Sequence, residues 1–321
     1  MKKMINRVVV VLLAVWLLPQ SVHAAQLLLP VGEVIGLSLG DSSVTVAAFD
    51  DGFDCARSAG IQIGDQLMLI NGRKICSAQD VRTALEQSDG SVDVTVLRRG
   101  KEKKLHIIPE ITPDGPRLGV YLKEGVTGVG TVTWYDPETG KFGALGHGVN
   151  NKNGVLLDMQ QGTAYEASIL SVKKGRAGAP GQLIGALQGG KKLGDLSKNT
   201  SQGVFGTAEG CWQGECLPVC NASQIRKGDA TILCAVEGDA VREYSVEILK
   251  IYPAAKSAGR NMLLRVTDPA LLSTTGGIVQ GMSGSPLVQD GKLIGAVTHV
   301  LVNDPTMGYG IFIENMLEAA G

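Results

Sequence analysis

Ser283 is the residue with the clearest potential for chemistry, because it lies in the glycine-rich segment 276–286, GGIVQGMSGSP. A serine hydroxyl is a poor nucleophile at neutral pH unless a base takes up its proton. In a tight turn, the backbone N–H groups of Gly281 and Ser283 can point at one spot and stabilise an oxyanion. The segment therefore predicts a nucleophilic serine with its own oxyanion hole. A plain hairpin turn is the alternative.

Imidazole is the usual base for serine because its pKa lies at about 6.5, and the sequence contains 4 histidines. His147, in ALGHGVN, lies between two glycines that leave room for a substrate beside the ring. His299 follows the apolar run LIGAV, where a histidine is more often part of the core. His23 lies in the N-terminal leader, and His106 alternates with apolar residues of a strand. We therefore predict His147 as the base, ahead of His299.

A carboxylate commonly orients such a base and stabilises the imidazolium that forms. Asp268 lies 15 positions before Ser283 and directly before Pro269, which favours an extended backbone at Asp268. Asp158, in the apolar run GVLLDMQ, is a second candidate, whereas Asp229 in RKGDAT is typical of a solvated turn. From these residues alone Asp268 has a modest lead, and Asp158 stays open.

The composition predicts a mainly β chain of two domains. The chain has 321 residues, of which 44% are hydrophobic, and this length allows two packed cores. Its 43 glycines fit many tight turns between short strands. The 30 Lys and Arg residues nearly balance the 31 Asp and Glu residues, so the charge does not indicate a nucleic-acid partner.

Residues 1–25 have the features of an export signal or a membrane anchor. Positive residues precede an apolar run over residues 8–18, and a V-x-A site ends at Ala24. This run is shorter than the ~20 residues that span a bilayer, although the apolar residues after it allow a retained anchor. We expect the protein to be exported and to associate with the membrane through this segment before release.

An exported chain with six cysteines can form disulfides. Three of the cysteines lie close together in CWQGECLPVC, and their spacings differ from the paired C-x2-C of a zinc ribbon. We expect one or two disulfides that clamp a loop, with a pairing that the sequence does not define, and free thiols are the alternative. We expect neither a metal nor a cofactor. The six cysteines are Cys55, Cys76, Cys211, Cys216, Cys220 and Cys234.

Residues 31–113 resemble the PDZ family. The segment 56–75, ARSAGIQIGDQLMLINGRKI, has the helix and turn residues of that family in the same order. A PDZ domain, a small α+β sandwich, adds an extended peptide to a sheet edge and receives its terminal carboxylate on backbone N–H groups. A packing domain with a filled groove is the alternative. The resemblance implies a helix at about residues 80–85 and a carboxylate-binding loop at Ile35, Gly36, Leu37 and Ser38.

Residues 114–321 are typical of an all-β domain with the size of a double barrel. The run GMSGSPLVQDGKLIGAV is similar to the GDSGGP signature of chymotrypsin-like proteases. The order His147, Asp268, Ser283 is also the chymotrypsin order of base, acid and nucleophile. Met282 stands where trypsin-like proteases carry the aspartate that pairs with a newly freed N-terminus. The resemblance therefore implies a double β-barrel peptidase that is not activated by that ion pair.

The chain after the leader resembles the stage IV sporulation protein B (SpoIVB) serine peptidases of endospore-forming bacteria. The matching segments are DPETGKFGALGHGV and the C-terminal run from VTDPALL to IFIENML. The catalytic residues of that family fall on His147, Asp268 and Ser283, and this analogy favours Asp268 over Asp158. The CWQGEC cluster has no counterpart in the family signature.

The resemblance implies an exported serine endopeptidase that acts in the space between forespore and mother cell. Such a peptidase cuts itself and then a membrane-bound regulator of an intramembrane metalloprotease, which releases the processing of a late sigma factor. Its PDZ domain would engage its own chain or the exposed end of the regulator. The alternative from another class is a catalytically silent scaffold whose PDZ groove binds the tails of membrane proteins.

Overall fold

The computed structural model describes residues 26–151, 154–253 and 259–321. The leader predicted for residues 1–25 lies outside these ranges. No helix within them is long and apolar enough to cross a membrane.

The described chain is mainly β, which confirms the predicted fold class. The strands are β1 (Leu27–Pro30), β2 (Val34–Phe49), β3 (Gln66–Ile70), β4 (Arg73–Lys74), β5 (Val92–Arg98), β6 (Lys101–Ile107), β7 (Glu110–Thr112), β8 (Gly115–Arg117), β9 (Val120–Tyr135), β10 (Lys141–Ala144), β11 (Gln161–Lys173), β12 (Gln182–Thr200), β13 (Gly203–Ala208), β14 (Leu217–Pro218), β15 (Gly228–Ala235), β16 (Val241–Ile251), β17 (Met262–Val266), β18 (Pro286–Gln289), β19 (Lys292–Leu301) and β20 (Asp304–Phe312). The helices are α1 (Cys55–Ser58), α2 (Ala78–Glu86), α3 (Pro269–Thr275), α4 (Ile313–Ala320) and a 3-10 turn at Ala222–Gln224.

Two antiparallel barrels form the body of the molecule. In the first barrel, the ring β9-β10-β13-β12-β11-β2 closes because β2 pairs with both β11 and β9. In the second barrel, the ring β15-β16-β17-β20-β19-β18 closes between β18 and β15. Alternate residues of a strand point to one face, so Ile35, Leu37 and Leu39 of β2 are buried together in the first barrel.

A small unit, residues 44–118, has its own hydrophobic core. Its helix α2 begins after Ser77, whose side chain accepts a hydrogen bond from the Asp80 N–H, and it buries Val81, Ala84 and Leu85. The turn that contains Asp65 is fixed by Arg98, whose guanidinium donates to both carboxylate oxygens at 2.6 and 2.7 Å. The helix and sheet predicted for this region are therefore present, and its assignment to the PDZ family stays a prediction.

The predicted carboxylate-binding loop at Ile35, Gly36, Leu37 and Ser38 is wrong. These four residues lie in β2, where β9 pairs with one edge and β11 with the other. Their backbone groups are therefore committed to the first barrel and cannot receive a peptide terminus. The physical reason is that β2 and β9 form one ladder, from Val34 opposite Thr131 to Phe49 opposite Val120, which runs from the barrel into the small unit.

Two buried threonines of β9 join the first barrel to the second at the serine turn, residues 281–284. The Thr131 N–H donates to the Ser283 carbonyl at 3.0 Å, and the Thr131 hydroxyl donates to the Gly281 carbonyl at 2.8 Å. The Thr133 hydroxyl donates to the Gly284 carbonyl at 2.7 Å. Both threonines are 0% exposed. Because these bonds are shielded from water, losing one leaves a buried polar group unpaired.

Gly284 is predicted to be intolerant of any side chain. A Cβ atom here would lie 2.0 Å from the Thr131 carbonyl oxygen, and φ is +99°. We expect Gly284→Ala to lower the free energy of unfolding by about 3 kcal/mol or more, because strain and overpacking act together. Gly291 is the matched control, since its φ is +70° and no heavy atom lies within 4 Å. Chemical denaturation should show a loss of about 1–2 kcal/mol for Gly291→Ala. Equal losses for the two variants would contradict the close contact at the serine turn.

Candidate active site

A cavity of about 430 Å³ lies where the two barrels meet, and it brings most of the predicted site residues together. His147, Gly281 and Ser283 all line it, and so does His299. None of the described residues that line it is Asp, Glu, Lys or Arg. The apolar part of the lining is Leu37, Leu39, Val126, Val129, Leu145, Val149, Ile278, Val279 and Val300.

Among the described residues, Ser283 makes no hydrogen bond to a histidine. Its Oγ donates a hydrogen bond to the Thr298 carbonyl at 2.8 Å. Thr298 is itself held, because its own hydroxyl donates to the Gly259 carbonyl at 2.7 Å. The hydroxyl therefore has to leave Thr298 before a base can take its proton.

The serine turn offers two backbone donors to the cavity. Within the described chain, the N–H groups of Gly281 and Ser283 donate to no protein group. The Met282 N–H between them points the other way, to the Val279 carbonyl, and the Met282 side chain is fully buried in the core of the second barrel. Packing thus explains the methionine at this position. Because only the Met282 N–H of the three is used within the described part of the protein, the N–H groups of Gly281 and Ser283 are available for an oxyanion.

His147 is held by the loop between β10 and β11. Its Nδ1 lies 2.9 Å from the Gly148 carbonyl, and with a proton on Nδ1 the lone pair on Nε2 is available as a base. Asn199 of β12 fixes this loop, because its side-chain amide exchanges two hydrogen bonds with the Val149 backbone. Burial lowers the pKa of His147, although the Gly148 carbonyl acts in the opposite direction. The ring is therefore neutral, as a base must be, at neutral pH.

His299 lines the active-site cavity beside His147, whereas the sequence favoured a place for it in the core. Its ring centroid is 5.3 Å from that of His147. Burial, the neighbouring His147 and Arg260 lower the pKa of His299 to about 4. Its Nδ1 is buried and has no hydrogen-bond partner in the described chain. The signal in the sequence was its place 16 residues after Ser283, at the end of the strand that returns to the serine turn.

Asp268, the predicted acid, does not line the cavity, and its carboxylate caps a helix instead. Oδ1 accepts hydrogen bonds from the N–H groups of Ala270 and Leu271, so Asp268 caps α3. An aspartate followed by proline at the first helical position is a strong helix start, which explains this use of the Asp-Pro pair. The candidates Asp158 and Asp229 are both exposed and also lie outside the cavity lining. In this structure the Gly148 carbonyl takes the orienting position beside His147.

The predicted disulfides are not formed, since all six cysteines are free thiols. The CWQGEC loop is held by Trp212 instead, whose ring packs edge-on against Tyr135 and Phe142. The Trp212 Nε1–H donates to the Glu33 carboxylate at 2.9 Å. Aromatic packing and one hydrogen bond therefore hold this loop in place of the predicted disulfides.

Two antiparallel barrels with a serine, a histidine and free backbone donors between them define a chymotrypsin-like serine peptidase. Residues 115–317 match the family model described as SpoIVB peptidase S55. The chain belongs to this family, which confirms the predicted peptidase class.

Other comparisons cover less of the proteins concerned or are more distant. The chain is 35% identical over 88 residues to "Putative zinc metalloprotease Atu1380" of Agrobacterium fabrum, covering 27% of this chain and 22% of that protein. It is 30% identical over 111 residues to "Putative zinc metalloprotease R01501" of Rhizobium meliloti, covering 34% and 28%. The chain thus spans about a quarter of these curated relatives.

Among solved structures, the Rv3671c protease of M. tuberculosis in its active form superposes with a TM-score of 0.35 and 17% identity, covering 62% of this chain and 75% of that one. Its inactive form gives a TM-score of 0.34 and 16% identity, covering 60% and 82%.

Substitution of Asp268 tests whether its carboxylate caps a helix or serves catalysis. Asn keeps an oxygen acceptor for the Ala270 and Leu271 N–H groups, so we expect Asp268→Asn to retain stability and to react with an active-site serine probe within a few-fold of wild type. Asp268→Ala should cost about 1 kcal/mol in thermal or chemical unfolding. An Asp-to-Asn change in a working triad lowers kcat about 10⁴-fold. A decrease of that size in the labelling rate of folded Asp268→Asn would show that the carboxylate reaches His147 in the active state.

Proposed function

We propose that this chain is a serine endopeptidase in which Ser283 is the nucleophile and His147 is the base. The observation that carries the proposal is that one cavity is lined by Ser283, the neutral His147 and the unpaired N–H groups of Gly281 and Ser283. A nucleophile, a base and an oxyanion hole are the minimal parts for acyl transfer.

The reaction begins when the Ser283 hydroxyl turns from the Thr298 carbonyl toward Nε2 of His147. Oγ attacks the peptide carbonyl, His147 takes its proton, and the N–H groups of Gly281 and Ser283 hold the oxyanion. His147 then gives the proton to the leaving amine, and water releases the acyl group by the same route in reverse. The Gly148 carbonyl keeps the proton on Nδ1 throughout, so the tautomer suits both steps.

The cavity favours an uncharged, apolar side chain next to the bond that is cut. Half of the 18 described residues that line it are Leu, Val or Ile, and none of these 18 residues is Asp, Glu, Lys or Arg. An acidic or basic side chain would therefore lose its hydration without gaining an ion pair. The substrate class proposed is an extended peptide with a medium-sized apolar residue at this position.

Labelling with a fluorophosphonate probe tests the Ser–His pair directly. We expect the wild-type protein to be labelled and Ser283→Ala and His147→Ala to lose the label, because one lacks the nucleophile and the other lacks its base. His106→Ala is the matched control, since His106 is exposed and pairs with Asp93 at the surface. Labelled protein is read by mass spectrometry of the serine peptide. Undiminished labelling of folded Ser283→Ala would rule out this nucleophile.

We also propose the biological setting that the SpoIVB family suggests. The protein is exported to the space between forespore and mother cell, is held at the membrane by its N-terminal segment before release, and cuts itself. It then cuts a membrane-bound regulator and so triggers the intramembrane processing of a late sigma factor. Membership of the family supports this proposal.

The small unit is proposed to act as a PDZ-like peptide-binding module, at a different place from the loop predicted by the sequence. Residues 120–124 of β9 pair with β2 on one edge, and no described strand pairs with the other edge. Helix α2 lies beside this open edge, since it contacts β8 and its Ala78 N–H donates to the Glu124 carboxylate. An open edge next to a helix is the arrangement that accepts an extended peptide.

Complementation separates the peptidase from the alternative, a scaffold that acts only by binding. In a spore-forming cell that lacks this chain, Ser283→Ala should fail to restore sporulation if cutting is the function. Tyr121→Asp, at an exposed position of the open edge, should weaken sporulation while the purified protein keeps its fluorophosphonate labelling. Rescue by Ser283→Ala together with failure of Tyr121→Asp would favour the scaffold. Spore counts and immunoblots for the variant proteins are the readouts.

A further inference from the structure

The two histidines of the active-site cavity have ring nitrogen atoms without hydrogen-bond partners in the described chain, and the proposed reaction needs only one of these atoms, Nε2 of His147. His147 uses Nδ1 toward the Gly148 carbonyl, and its Nε2 has no hydrogen-bond partner in the described chain. Neither ring nitrogen of His299 has a partner among the described residues, and the buried Nδ1 is left unsatisfied. Buried polar atoms without a partner are rare in folded proteins, and an ion that the structure does not contain is one explanation.

The geometry points to a transition-metal site, and we propose that His147 and His299 together bind Zn²⁺. The ring centroids are 5.3 Å apart. Two imidazoles on one tetrahedral Zn²⁺, with Zn–N bonds of about 2.0–2.1 Å, place their centroids roughly 5 Å apart. The contact of His147 Nδ1 with a backbone carbonyl is the second interaction that metal-binding histidines commonly make, and it directs Nε2 to the metal.

In the proposed site, the two histidines leave coordination positions of the metal open to other ligands. The described residues contain no group of three or more His, Cys, Asp or Glu side chains placed to hold a metal. The remaining positions on Zn²⁺ are therefore filled by water and by the Ser283 hydroxyl, which lines the same cavity. Because none of the described lining residues carries a carboxylate or a thiolate, the site is weaker than a structural zinc site and releases its ion readily.

Bound Zn²⁺ would inhibit the peptidase. The metal occupies the Nε2 lone pair with which His147 would take the Ser283 proton, so the base and the metal exclude each other. This consequence rests on the proposed function, whereas binding of the metal does not.

Calorimetric titration of the purified full chain with ZnCl₂ tests binding, after the thiols have been alkylated with iodoacetamide so that the cysteines do not compete. We expect one Zn²⁺ per wild-type chain and affinity that is weaker by about tenfold or more in both His147→Gln and His299→Gln. His106→Gln, on the surface of the small unit, should bind like wild type. Thermal unfolding without metal shows that each variant is folded, and His299→Asn serves if His299→Gln is not.

Fluorophosphonate labelling with and without Zn²⁺ separates the two proposals. Labelling that falls with added Zn²⁺ in the wild type and returns with a chelator supports inhibition at this site. No binding to the wild type, or equal binding by His299→Gln, overturns the metal site and leaves the peptidase intact. Zinc binding that is lost in both histidine variants, in a protein that is never labelled, supports the metal site and contradicts the peptidase.

Discussion

The contact between β9 and the serine turn is the constraint on which the site depends. Thr131 and Thr133 hold the carbonyls of Gly281, Ser283 and Gly284 from the opposite barrel, and glycine at position 284 lets the two backbones meet. Because the carbonyls are held on the β9 side, the N–H groups of Gly281 and Ser283 are left for the cavity. The oxyanion hole is thus a result of how the two barrels pack.

The base, the oxyanion donors and the cavity are each held in place, whereas Ser283 is not hydrogen-bonded to His147. The loop of His147 is fixed by Asn199, the serine turn is fixed by β9, and the cavity between them is lined on both sides. Only the Ser283 side chain is turned away, toward the Thr298 carbonyl. A Ser–His pair can form only after the Ser283 hydroxyl has left the Thr298 carbonyl. The ladder of β2 and β9 also joins the first barrel to the small unit, so a peptide bound at the open edge would contact the strand that holds the serine turn.

Local patterns predicted the fold class and residues that line one cavity, but they did not predict the long-range partners of these residues. The glycines around Ser283 and His147 identified both residues, because such turns are local features. The prediction of Asp268 rests on its spacing to Ser283, on the proline that follows it and on the analogy with the SpoIVB family, yet its carboxylate caps the helix that starts at Pro269. The resemblance to the PDZ family placed a binding loop at residues 35–38, and only the pairing of these residues with β9 and β11 shows that they belong to a barrel strand. The position of His299 beside His147 depends on closure of both barrels, which no local pattern encodes.

A crystal structure of the protein after reaction with a small fluorophosphonate would test the central claim most directly. The account predicts phosphorus bonded to Ser283 Oγ, with the phosphonyl oxygen about 2.7–3.1 Å from the N–H groups of both Gly281 and Ser283. Nε2 of His147 should face the adduct, and the serine should no longer contact Thr298. An adduct on another residue, or a phosphonyl oxygen that points away from these N–H groups, would contradict it.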